Sequence, residues 1–89
     1  FIEVEVESEE QALIAVEEGV DAILIDNQPP EGAERIAKKI KEKNPDILVE
    51  VSGGIRENNI LGYAKFADRI SLGYITHSVK SKDFSLEIV

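Results

Sequence analysis

Residues 22–54, AILIDNQPPEGAERIAKKIKEKNPDILVEVSGG, decide the fold. Ala22–Ile25 is a short apolar run of the kind that forms a buried strand. After Asp26-Asn27 and a proline pair, Ala33, Ile36, Ala37 and Ile40 recur at i, i+3, i+4 and i+7, the spacing of one helix face. Pro30 suits the entry to that helix and Asn44-Pro45 its exit. A second β-branched run, Ile47–Val51, follows. Strand, helix, strand over some 30 residues is a βαβ unit, which implies parallel strands joined by a right-handed crossover.

The same rhythm extends in both directions. Upstream, Ile2, Val4 and Val6 alternate with Glu3, Glu5 and Glu7, a strand with one apolar and one acidic face. SEEQALIAVEEG then reads as a helix with Ser8 as N-cap, acids in its first turn and Gly19 at its end. Downstream, RENNILGYAKF is a weaker helical pattern with Ile60, Leu61 and Ala64 as its buried stripe, and Arg69–Leu72 reads as a fourth strand. A final helical turn or two is expected near ITHSVKS. The fold class is α/β with parallel βα repeats. It is either a small open sheet or four consecutive units of a TIM-like (β/α) barrel, about half of one.

The chain has 89 residues, enough for one domain, and no cysteine, which fits a reducing cytoplasm. No stretch is apolar enough to span a membrane. The formal net charge of −8 argues against nucleic acid or an anionic membrane surface as the main partner. An anionic substrate would then be held by backbone amides, or by basic residues from elsewhere. The chain opens at Phe1 and contains no Met, which is expected of a processed chain or part of a longer one.

Polar residues cluster where strands give way to helices, the edge at which parallel α/β folds bind ligands. Ser52-Gly53-Gly54 leaves backbone N–H groups bare for an anion, although an ordinary turn carries the same glycines. Gly73, with Thr76, His77 and Ser78 at the expected helix start, repeats the arrangement one unit later. Two such loops together favour phosphate binding. Asp26 ends its strand in a carboxylate, which a turn-forming Asp-Asn also explains. In a barrel Val4 and Val6 pack against helices while Glu3, Glu5 and Glu7 face the lumen. Glu5 and Asp26 then share a rim and suit Mg²⁺ or sugar hydroxyls, whereas a solvated edge strand needs no such role.

IEVEVE, LIDN, VEVSGGI and YA…DRISLGYITHSVKSKDFSLEI, in that order and spacing, resemble the C-terminal part of quinolinate phosphoribosyltransferases. The resemblance covers essentially all 89 residues. It implies an N-terminal α/β domain and the first barrel units outside this segment, and the transfer of phosphoribosyl from phosphoribosyl pyrophosphate to quinolinate with Mg²⁺. The products would be nicotinate mononucleotide, pyrophosphate and CO2, on the route to NAD. By the resemblance, Glu5 and Asp26 are the acids near ribose and metal. Ser52, Gly53 and Gly54 form one phosphate loop, and Gly73, Tyr74 and Ile75 the second, with His77 close by. It further implies a cytoplasmic homo-oligomer, dimer or hexamer, whose site is completed by Arg and Lys from other segments; the isolated segment is expected to be inactive. YAKFAD and DNQPP depart from the family's usual wording. Rival readings are a molybdenum-transport-associated paralogue, a non-catalytic ribose-phosphate-binding half-barrel, and another barrel enzyme acting on a phosphorylated sugar.

Overall fold

The computed structural model describes residues 1–53, 55, 58–72, 75–80 and 83–88, with side chains described as far as residue 71. Among the described residues nine elements follow one another: β1 (Glu3–Val6), α1 (Glu9–Glu17), β2 (Ala22–Asp26), α2 (Pro30–Lys43), β3 (Leu48–Ser52), α3 (Ile60–Ala64), β4 (Arg69–Leu72), β5 (Ile75–Lys80) and β6 (Asp83–Ile88). The strands form one sheet in sequence order. β1 to β4 are parallel, with registers Glu5–Leu24, Leu24–Glu50 and Glu50–Arg69. The expected α/β repeat with helices between parallel strands is therefore present.

Local chemistry explains the helix boundaries. Ser8 caps α1 by accepting from the Gln11 backbone N–H at 3.2 Å, and Glu9 and Glu10 sit at the positive end of the helix dipole. The chain turns away at Gly19, whose φ of +77° few other residues adopt. Pro30 opens α2, where its missing N–H is harmless, and Lys41 and Lys43 complement its C-terminal end. Asn44 is extended, as the residue before Pro45 must be.

Each of the four parallel strands alternates its faces. Val6, Ile23, Ile25, Val49, Val51 and Ile70 are buried beneath the helices, against Ala12, Ala15, Ala33, Ile36, Ala37, Ile40 and Tyr63. Each fully buried Ile or Val contributes about 1.5–3 kcal/mol. α1 packs on α2 and α2 on α3, so the helices form one layer on one face. The opposite face carries Glu3, Glu5, Leu24, Asp26, Glu50, Ser52, Arg69 and Ser71. That is the inside surface of a half-barrel, and the acids of β1 lie on it as its alternation requires.

The end of the chain departs from expectation. The helical turn near ITHSVKS is instead β5, antiparallel to β4 with Ile70 opposite His77. β6 then pairs antiparallel with β5. Ile75, Thr76 and Val79 are β-branched and favour extended backbone, which outweighs the capping potential of Thr76 and Ser78. DFSLEI supplies the alternation of the unexpected sixth strand.

Candidate functional site at the C-terminal rim of the parallel strands

Asp26 and Ser52 are register partners at the ends of β2 and β3. The Ser52 hydroxyl donates to Asp26 Oδ1 at 3.0 Å, and the Asn27 backbone N–H donates to the Ser52 carbonyl at 3.0 Å. Asn27 occupies the left-handed region (φ 58°), which Asn tolerates better than most residues. Gly53 follows at φ +81°, and a Cβ there would lie 2.7 Å from Asp26 Oδ1 and 3.0 Å from the Asn27 nitrogen. Two βα loops thus close on each other around one carboxylate. Only glycine at 53 permits that approach.

Glu5 stands on the same sheet face, one strand over, in register with Leu24 two residues before Asp26. Beyond it, Glu7 is held on both sides of its peptide. Its N–H donates to Gln11 Oε1 at 2.8 Å, and its carbonyl accepts from Gln28 Nε2 at 2.7 Å. The Gln28 carbonyl accepts from the Tyr63 hydroxyl at 2.6 Å. Burial, and secondarily the charge of Glu31, raises the Tyr63 phenol above its usual value. Asn27, Gln28, Pro29, Pro30, Gly53, Asn59 and Tyr63 line an open cleft of about 320 Å³ beside Asp26.

A second polar group lies deeper on the same face. Glu50 accepts from the Ser71 hydroxyl at 2.5 Å and lies 4.0 Å from the Arg69 guanidinium. Burial raises the Glu3 carboxyl above the ordinary range, the Glu50 hydrogen bond and charge add to this, and Arg69 partly opposes it. Glu50 and Tyr63 were not singled out by sequence. For Glu50 the signal was present, because it alternates with Val49 and Val51 and so must share the acidic face. For Tyr63 and its bond to Gln28 it was not, since the partners are 35 residues apart.

Of the candidate residues, Glu5, Asp26, Ser52 and Gly53 are brought to one rim. Gly54, Gly73 and Tyr74 lie outside the described residues. Ile75 and His77 belong to the backbone of β5, not to a helix start. Among the described residues no three His, Cys, Asp or Glu side chains gather to hold a metal. Glu5 and Asp26 supply hard carboxylate oxygens, and one Asp26 oxygen is already engaged by Ser52. That partial donor set fits Mg²⁺, which is commonly held by one or two carboxylates with substrate phosphates and water completing its shell. No helix among the described residues is long and apolar enough to cross a membrane.

The family model described as "Quinolinate phosphoribosyl transferase, C-terminal domain" matches residues 1–87. A protein named probable nicotinate-nucleotide pyrophosphorylase (carboxylating) from Methanocaldococcus jannaschii is 50% identical over 93 aligned positions, covering 99% of this chain and 33% of that protein. The human nicotinate-nucleotide pyrophosphorylase (carboxylating) is 38% identical, covering 98% of this chain and 30% of its own. The solved nicotinate-nucleotide pyrophosphorylase of Francisella tularensis superposes with a TM-score of 0.72 at 31% identity, over 99% of this chain and 31% of that one. The chain thus spans about a third of the length of the relatives it matches. With the family match running through all four parallel strands and their rim, the chain belongs to the quinolinate phosphoribosyl transferase family, as part of its C-terminal domain.

Proposed function

We propose that this chain is the C-terminal barrel portion of an enzyme that transfers phosphoribosyl from phosphoribosyl pyrophosphate to quinolinate. The observation that carries the reading is the closure of Ser52 and Gly53 on Asp26, on the sheet face that Glu5 shares. It holds the Asp26 carboxylate against a loop suited to phosphate, with Glu5 on the neighbouring strand. The family match and the names of the relatives support the same reading.

In that reaction the C1–pyrophosphate bond of the ribose breaks and the ring acquires positive character. The quinolinate nitrogen then forms the new bond to C1. The adjacent carboxylate leaves as CO2, a proton taking its place on the ring. Glu5 and Asp26 would accept from the ribose hydroxyls and stabilise the developing charge, an effect strongest when the acceptors are held in place beforehand. Ser52 and Gly53, with Gly54, and Gly73 to Ile75 with His77, would hold the 5′-phosphate and so orient C1. Glu5 and Asp26 would also hold Mg²⁺, which when bound would supply positive charge to offset that of the pyrophosphate. Basic residues for the quinolinate carboxylates would come from other segments of a cytoplasmic homo-oligomer, consistent with the acidic balance here.

The test is to supply the full-length protein that carries this segment with quinolinate, phosphoribosyl pyrophosphate and Mg²⁺. Nicotinate mononucleotide and CO2 in equal amounts are expected, with loss of both on chelation of the metal. A folded protein that forms neither product contradicts the assignment.

A further inference from the structure

The last pair of the β1–β2 ladder is Val6–Ile25. Past it each strand departs towards its own helix, yet Glu5 and Asp26 must stay in fixed relation to meet one ligand. The Gln28 carboxamide bridges the two departing chains through the 2.7 Å bond to the Glu7 carbonyl. Glu7 lies two residues beyond Glu5, and Gln28 two residues beyond Asp26.

Gln28 is itself firmly placed. Asn27 before it is left-handed, and Pro29 after it is fixed at φ −66°. Its carbonyl is held by Tyr63, which is 3% exposed. Its Oε1 lies 3.0 Å from where a Cβ on Gly32 would stand, so a glycine in the first turn of α2 leaves room for the carboxamide. On the other side, the Gln11 side chain completes the hold on Glu7. The bond therefore joins two segments that are each tied down independently.

We propose that Gln28 is a positioning residue: its carboxamide locks the end of the Glu5 strand to the end of the Asp26 strand and so sets the spacing of the two acids. The inference rests on the function proposed above for those acids. The Gln28 side chain touches no reacting atom in this role.

Gln28→Glu tests it in the full-length protein, because the shape is kept while the N–H donor becomes an oxygen facing the Glu7 carbonyl. Gln28→Met, which removes the donor without adding charge, guards against a folding failure of the first variant. Amide exchange over residues 7–12 of the unliganded protein should rise about five- to tenfold, the factor expected for one lost hydrogen bond. In the same variants kcat should fall about tenfold, because the two acids act on the charge that develops in the transition state. Unchanged exchange overturns the proposal. So does raised exchange with wild-type kcat, or a loss confined to KM. A wild-type protein that makes no product overturns the function reading and this inference together, whereas an active wild type with unaffected variants overturns this inference alone.

Discussion

Gly53 and Asp26 approach so closely that a Cβ on the glycine would stand 2.7 Å from the aspartate Oδ1. Gly19 shares the positive φ but has open space where its Cβ would go. The pair separates backbone strain from contact. Alanine at either position costs about 1–2 kcal/mol for the left-handed backbone. Gly53→Ala adds about 1–3 kcal/mol of overpacking and displaces Asp26. Urea unfolding should therefore rank Gly53→Ala below Gly19→Ala, and only the former should lose transferase activity.

Ser52 donates a hydrogen bond from its hydroxyl to Asp26 Oδ1, which ties the catalytic proposal to one atom. Ser52→Ala should lower kcat about tenfold, as expected for a hydrogen bond to a charged group. Ser52→Thr retains the hydroxyl and should recover most of the rate. Steady-state kinetics on the two variants, side by side, checks this.

At the opposite end of the strands Asp68 Oδ2 accepts from the Val49 N–H at 2.8 Å and from Lys41 Nζ at 3.0 Å, and Lys41 also donates to the Ile47 carbonyl. Asp68→Ala strips the Val49 N–H of its acceptor and takes from Lys41 its carboxylate partner, leaving the ammonium the Ile47 carbonyl. About 1–3 kcal/mol of stability should go, the usual penalty for such an orphaned group. The site lies at the other end of the sheet, so kcat should hold. Thermal unfolding combined with the product assay separates the two effects.

Glu3 offers a prediction in pH. Its carboxyl is raised above the ordinary value of 4.5, by burial first and then by Glu50. The folded chain therefore binds that proton more tightly than the unfolded chain does, and stability from this group falls as pH rises from the ordinary carboxylate value through the raised one. Glu3→Gln mimics the protonated form. Its melting temperature should exceed that of wild type at pH 7.5, and the gain should vanish below pH 4.5.

Much of this was legible in the residues. Alternation in Ile2–Val6 and the 3.6-residue period of Ala33–Ile40 specify the strand, the helix and the faces they bury. Register then follows, because a one-residue slip would put Glu5 among the helices and Val6 on the open face. Asp26 and Gly53 were legible as rim residues from their place after apolar runs. Their mutual contact was not, as it depends on the Asp26–Ser52 register and two left-handed residues. The chain end misled because Thr76, His77 and Ser78 suit a helix cap, while cross-strand pairing with β4 and β6 decided the outcome.

The most direct test of the two-acid rim is the single-turnover rate of Glu5→Gln and Asp26→Asn in the full-length protein with quinolinate, phosphoribosyl pyrophosphate and Mg²⁺. Both changes keep side-chain shape and remove charge. Each should slow nicotinate mononucleotide formation about 10²–10³-fold while the protein stays folded. Variants that form product at the wild-type rate would contradict the role assigned to the acids of β1 and β2.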